Sequence, residues 1–156
     1  MNQYNEYSAL LKYVIEIGKN AAKEIIKIYD NGKYQIDIKT DDSPVTNADL
    51  ASNEIICDGL TKLDSSITII SEENMFMAYE ERKNKSLLWS VDPLDGTKEF
   101  IKKNGEFTIN IALVENGIPV LGVLIVPVIN ETYYAIKGQG SFFEKNKITQ
   151  RIQCGQ

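Results

Sequence analysis

Four acidic residues, Asp49, Glu72, Asp92 and Asp95, stand where carboxylates could act together, each at the end of an element that the neighbouring pattern predicts. Asp92 and Asp95 flank Pro93-Leu94 directly after the apolar run Leu87-Leu-Trp-Ser-Val91. Proline ends a strand ladder because it has no N–H to donate, and a two-residue gap lets both carboxylates turn toward one point. Convergent carboxylate and carbonyl oxygens suit a hard cation such as Mg²⁺. Gly96-Thr97-Lys98 comes next, and an element starting there would offer backbone N–H groups to a phosphate. Each feature alone has a plain explanation. Asp-Pro-Leu-Asp-Gly is a common kind of polar turn, Glu72-Glu73 a solvated pair, Asp49 a carboxylate in the first turn of a helix, and Thr97 an N-cap. Together they ask for a cation, because like charges about 4 Å apart cost on the order of 4 kcal/mol at an effective dielectric of 20.

The composition narrows the chemistry further. The chain has no histidine, which excludes Ser-His and Cys-His nucleophiles, imidazole acids and bases, and His-ligated zinc. Catalysis would have to use carboxylates, hydroxyls, lysines, tyrosines or a metal. Gly96-Thr97-Lys98 lacks the upstream glycine spacing of a Walker A loop. An aspartyl-phosphate motif would put one residue between its aspartates, not two. Water activated by metal is then the expected nucleophile. The two cysteines, Cys57 and Cys154, form no CxxC pair, which argues against zinc and disulfides and fits a reducing compartment. A net charge of −5, from 17 basic and 22 acidic residues, leaves no basic footprint for nucleic acid or anionic membrane. The longest nearly apolar run, residues 118–129, holds two prolines and a glycine and is too short to span a bilayer. The N-terminus lacks the layout of a signal peptide, so a cytoplasmic location is expected.

The elements that must position these residues follow from periodicity. Leu10, Val14, Ile17, Ala21, Ile25 and Ile28 recur at helical steps and predict a long amphipathic helix over 3–30, stopped by Asn31-Gly32. Tyr34, Ile36 and Ile38 alternate as a short strand or arm, and the residues from Lys39 to Pro44 form a polar loop. Thr46-x-x-Asp49 marks the start of a second helix, running to about Lys62. A buried strand at 67–70 ends at Ser71-Glu72-Glu73-Asn74, residues 75–86 have room for one or two exposed helical turns, and a strand covers 87–91. Beyond Phe107 the chain is β-rich. Strands at 108–114 and 120–126 flank the hairpin signal Glu115-Asn116-Gly117. The second of these is apolar at nearly every position and reads as buried on both faces, of which the two N-terminal helices can cover one. Strands at 132–136 and 141–144 follow, then a turn at Lys145-Asn146-Lys147 and a polar tail from Gln150. The pattern predicts one α+β domain over residues 1–156, with two N-terminal helices on a largely antiparallel sheet of five to six strands.

At this point three ordered motifs carry a resemblance. Residues 89–100, Trp-Ser-Val-Asp-Pro-Leu-Asp-Gly-Thr-Lys-Glu-Phe, stand with Ser71-Glu72-Glu73 and Pro44-Val45-Thr46-x-x-Asp49. The set resembles the inositol-monophosphatase superfamily of Mg²⁺-dependent, lithium-sensitive phosphatases. Residues 97–108, followed by Asn110-Ile-Ala-Leu and Gly122-Val, are similar to bacterial 3′(2′),5′-bisphosphate nucleotidases of the CysQ type. Those enzymes remove a phosphate from adenosine 3′,5′-bisphosphate, a by-product of sulfate assimilation.

The resemblance implies Glu72, Asp92, Asp95 and the Leu94 carbonyl as ligands to two or three Mg²⁺ ions. It implies Thr97, paired with Asp49, as the group that orients the attacking water, with Glu72 also contacting that water. The Gly96 and Thr97 N–H groups would hold the phosphate, and Glu73 would support the ligands. Lys98 and Glu99 mark the nucleotidase branch without an assigned contact. The W-D-x-A-A-G-like motif that completes the family's metal site has no counterpart here, since Trp89 is the single tryptophan and is already used. The chain therefore resembles the N-terminal half of the family fold, with a complementing C-terminal half or a homodimer as expected partners that would cover other parts of the domain. An inositol or sugar monophosphatase, and a non-catalytic half-domain that binds metal or phosphate, are the alternative functions.

Overall fold

A computed structural model describes residues 3–39, 43–74 and 77–153. Thr40 to Asp42 in the expected polar loop, and Cys154 with the end of the expected tail, lie outside the described residues. The first helix, α1, spans Gln3–Asn31. A two-stranded ribbon follows, β1 (Ile36–Ile38) antiparallel to β2 (Pro44–Thr46). The second helix, α2 (Asn47–Leu63), begins at a capping box: the Thr46 hydroxyl accepts from the Ala48 N–H, and the Asp49 carboxylate accepts from the Thr46 N–H.

The main sheet begins with β3 (Thr68–Ser71) and, after a single helical turn α3 (Tyr79–Arg82), continues with β4 (Leu87–Asp95). A second short helix, α4 (Thr97–Ile101), leads into β5 (Thr108–Glu115), β6 (Ile118–Val126), β7 (Glu131–Ile136), β8 (Gly140–Lys145) and β9 (Ile148–Ile152). The strands lie in chain order, and every pair is antiparallel except β3 with β4. The α+β class, the two helices and the largely antiparallel sheet match the expectation from sequence.

Two elements differ from the expectation. The sheet has seven strands rather than five to six, because the expected polar tail forms β9. Asn146 and Lys147 both take positive φ, 51° and 63°, the backbone of a tight hairpin turn. All five β9 residues are exposed, so backbone pairing with β8 holds the strand, and burial does not. Second, β4 runs past Val91 to Asp95. In β6, Leu121, Val123 and Ile125 lie under the helices and Val120 is buried beside them, whereas Gly122, Leu124 and Val126 face the other way and are half-buried, the face expected to meet a further half or partner chain.

The core sits between the helices and that inner face. Val14, Ala21 and Ile25 of α1 and Ile56 and Leu60 of α2 are fully buried, as is Ile109 of β5. The two helices approach closely at Gly59, where a Cβ would come 2.7 Å from Ile17. An aromatic cluster fixes the far side of α4: Phe100 meets Phe107 at 5.3 Å and Tyr34 at 5.2 Å, and the Tyr34 hydroxyl donates to the Ile101 carbonyl at 3.0 Å. That cluster holds the turn whose first residue is Thr97.

Candidate active site

Asp92 pairs with Asn110 and Asp95 with Thr108, so three steps along β4 match two along β5. The extra residue makes a bulge that bends the strand end. Leu94 N–H donates to Asp92 Oδ1 at 3.2 Å, and Asn110 Nδ2 donates to Asp95 Oδ2 at 3.3 Å. Gly96 then reverses the chain with φ +98°, where a Cβ would meet the Glu106 carbonyl at 2.9 Å. Only glycine fits that combination of backbone angle and close approach. The chain enters α4 with Thr97 first, and its hydroxyl donates to Asp49 Oδ1 at 2.8 Å. Asp49 is buried and accepts two further hydrogen bonds through Oδ2, from the Thr46 N–H at 2.8 Å and the Thr46 hydroxyl at 2.6 Å.

The Glu72 turn approaches from β3. Its N–H extends the parallel pairing by donating to the Val91 carbonyl at 3.1 Å. Lys39 reaches in between the two glutamates, 3.2 Å from Glu72 and 2.7 Å from Glu73. Burial works against the Lys39 charge, yet the Glu73 and Glu72 carboxylates hold its pKa above the ordinary value. Burial in turn pushes the Glu73 carboxyl up, against the pull of Lys39. Asp92 is the most perturbed acid. Burial first, then the negative charges of Glu72 and Asp95, push it up to about 7.

The fold thus brings Asp49 to Thr97 and Glu72 to Asp92, and it sets Asp95 on the outer arm of the bulge against Asn110. The Leu94 side chain is buried, and its carbonyl lies 3.4 Å from the Thr97 hydroxyl. Among the described residues no three His, Cys, Asp or Glu side chains converge closely enough to cage a metal ion. The donor set still fits Mg²⁺, which keeps several waters and is commonly bound by one or two carboxylates plus phosphate oxygens. The repulsion from Glu72 and Asp95 that adds to burial in raising the Asp92 pKa is the kind a divalent cation relieves. Lys98 is exposed, and Glu99 pairs with Lys102 at 3.6 Å. A trough of about 640 Å³ opens beside Glu72 and Asp92 over the outer face of the sheet, floored by Ala112, Gly122 and Leu124.

Sequence reasoning missed Lys39, Ser52 and Asn53. Ser52 and Asn53 follow Asp49 by three and four residues on one helix face, a spacing that could have flagged them. No local pattern marks Lys39, whose partners lie more than thirty residues away.

The model of a family described as the inositol monophosphatase family matches residues 6–155. The 3′(2′),5′-bisphosphate nucleotidase CysQ of Salmonella typhimurium is 46% identical over 145 residues, 92% of this chain and 58% of that protein. The crystal structure of CysQ from Bacteroides thetaiotaomicron superposes with a TM-score of 0.74 at 42% identity, covering 88% of this chain and 49% of that one. An IMPase of Thermotoga maritima gives a TM-score of 0.77 at 31% identity, covering 90% and 53%. The chain spans about half the length of the relatives it matches. No helix among the described residues is long and apolar enough to cross a membrane.

Proposed function

The chain belongs to the inositol monophosphatase family, and we propose that it carries the metal- and phosphate-handling part of a Mg²⁺-dependent 3′(2′),5′-bisphosphate nucleotidase. Likeness to two CysQ proteins at 42–46% identity supports the substrate class. The observation that carries the chemistry is the Thr97–Asp49 hydrogen bond beside the Glu72–Asp92 pair. Because the Thr97 hydroxyl spends its proton on Asp49, its lone pairs are left to accept one from a water. That orients the water for attack on a phosphorus held near the Gly96 and Thr97 N–H groups. Asp49 is fixed by three hydrogen bonds, so the dyad needs little rearrangement on the way to the transition state. Glu72, Asp92, Asp95 and the Leu94 carbonyl would hold Mg²⁺, with Glu73 and Lys39 supporting Glu72. When bound, Mg²⁺ supplies positive charge to the phosphoryl oxygens and to the attacking water.

The absence of a three-carboxylate cage among the described residues favours a second reading, in which this chain alone binds metal or phosphate without turnover. Phosphate release from adenosine 3′,5′-bisphosphate and from inositol 1-phosphate, measured against Mg²⁺ concentration, separates the readings. The nucleotidase reading expects Mg²⁺-dependent release, faster from the bisphosphate. In Thr97→Ala, kcat should fall on the order of 10²-fold with KM nearly unchanged. Equal or faster release from inositol 1-phosphate would sink the nucleotidase assignment. Mg²⁺ binding without turnover of either ester would establish the second reading.

A further inference from the structure

Three neighbouring polar side chains on α2 each hold a different segment of the site. Asp49 holds Thr97. Ser52, fully buried, donates from its hydroxyl to the Pro93 carbonyl at 2.7 Å, inside the bulge between Asp92 and Asp95. Asn53 reaches the Glu72 turn: its Oδ1 accepts from the buried Ser71 hydroxyl at 2.6 Å, and its Nδ2 donates to Asn74 Oδ1 at 2.9 Å. The same turn is tightened from within, since Ser71 Oγ accepts from the Glu73 N–H at 3.4 Å and the Ser71 carbonyl from the Asn74 N–H at 3.2 Å. Cys57, one turn further along α2, closes the network. Its thiol donates to Asn53 Oδ1 at 3.3 Å, and its sulfur accepts from Asn74 Nδ2 at 3.7 Å.

Residues at i, i+3 and i+4 share one helix face, so this face touches the Thr97 turn, the Asp92–Asp95 bulge and the Glu72 turn at once. Among the described residues, the bulge and the Glu72 turn are otherwise joined along the edge of the parallel β3–β4 pair, through the Glu72 N–H and the Val91 carbonyl. They also meet through the Glu72 and Asp92 side chains, whose like charges do not fix a register. We propose that Ser52 and Asn53 are positioning residues: α2 acts as a rigid jig that sets Glu72 and the Asp92–Asp95 pair in register with Asp49. This rests on the metal-site reading above and extends it to two residues that touch neither metal nor substrate. A hydroxyl buried on a helix whose neighbours are Ile56 and Leu60 would contribute little if packing were its only task.

The test uses the full chain and two readouts besides activity: the Mg²⁺ dissociation constant from titration calorimetry, and amide hydrogen exchange resolved by residue. Asn53→Ala should speed exchange at Glu72, Glu73 and Asn74, and Ser52→Ala at Leu94. Each should weaken Mg²⁺ binding about 10-fold or more, the usual effect of removing a group that orients a ligand. Ser52→Thr, which keeps the hydroxyl, should restore affinity. Ser71→Ala combined with Asn53→Ala should cost less than the sum of the two, because the Ser71–Asn53 hydrogen bond is lost in both. Thr61→Ala, exposed on the same helix, is the control that should change nothing. Unchanged exchange and affinity in Asn53→Ala and Ser52→Ala would overturn the proposal. So would exchange that rises equally across the whole chain, because that reports a stability role alone. If the unsubstituted chain gives no Mg²⁺ heat, the metal reading fails, and the local exchange pattern still decides whether α2 registers the two segments.

Discussion

Replacing Asp92 by asparagine should make the protein more stable at pH 8. The carboxyl is partly buried, and the negative charges of Glu72 and Asp95 add to the burial in pushing it up to about 7 from an ordinary 3.8. Below about pH 4 both the folded and unfolded chains hold the proton, and the group is neutral to stability. Between about 4 and 7 the folded chain keeps a proton that the unfolded chain releases, so stability falls as pH rises through that window. Above 7 the full penalty is present. A roughly thousandfold change in proton affinity is worth about 4 kcal/mol in an enclosed site. Solvent screening at a partly exposed group coupled to Glu72 reduces this to about 1–2 kcal/mol. Asparagine keeps an oxygen for the Leu94 N–H and removes the charge.

Urea melts followed by fluorescence of the buried Trp89 would measure the difference at pH 4, 5.5, 7 and 8. The variant should exceed the parent by about 1–2 kcal/mol at pH 8, and the two should converge toward pH 4. Glu73, also pushed up by burial, leaves a weaker slope of the same sign in the variant. Mg²⁺ at a hundred times its dissociation constant should add about 2.7 kcal/mol to the parent at pH 8, and Asp92→Asn should lose most of that gain. A variant less stable than the parent at pH 8, or one with an undiminished pH slope, would show that Asp92 is not held against its neighbours' charge.

Three further outcomes are expected. Gly96→Ala meets both a φ of +98° and the Glu106 carbonyl at 2.9 Å, so chemical melts should show a loss of about 2–3 kcal/mol, accompanied by loss of Mg²⁺ binding. Lys39→Met strands Glu73, whose side chain is only 6% exposed; the cost should be about 1–3 kcal/mol at pH 8 and much less at pH 4, where Glu73 is neutral. Val123→Lys and Leu124→Lys are adjacent on β6 but face opposite ways: the first should unfold the chain. The second should leave it folded and reduce binding of a hydrophobic dye to the trough, and equal damage from both would refute the one-sided burial of the sheet.

Much of this architecture was readable because local signals and tertiary demands agree. The three- and four-residue spacing from Leu10 to Ile28 describes α1 because the same residues pack into the core. Asn116-Gly117 describes the β5–β6 hairpin because both residues take positive φ, 51° and 78°. The misreading of the last strand has a physical cause. Composition reports how apolar a segment is, not what lies across from it. The residues from Gln150 looked like a polar tail because few of them are apolar, yet the edge of β8 recruits the backbone of Ile148 to Ile152. Val120 to Val126 is apolar throughout, and the structure puts Leu121, Val123 and Ile125 under the helices with Val120 buried beside them, leaving Gly122, Leu124 and Val126 half-buried on the other face.

The site divides along the same line. Asp92, Asp95, Gly96 and Thr97 could be grouped from sequence because one bulge and one glycine turn carry all four, and short-range spacing encodes short-range geometry. Glu72 could be added because it ends the strand paired beside β4. What spacing cannot encode is the register between those segments, which depends on contacts spanning 18 to 48 residues: Asn53 to Ser71, Ser52 to Pro93, Thr97 to Asp49. All three converge on the first two turns of α2, whose start is set by Thr46 and Asp49 themselves. Asp49 therefore caps the helix with one carboxylate oxygen and orients Thr97 with the other. A substitution there cannot touch the candidate chemistry without also loosening the helix that aligns the remaining carboxylates. For that reason Thr97→Ala, which leaves both capping contacts in place, separates catalysis from assembly and Asp49→Asn does not.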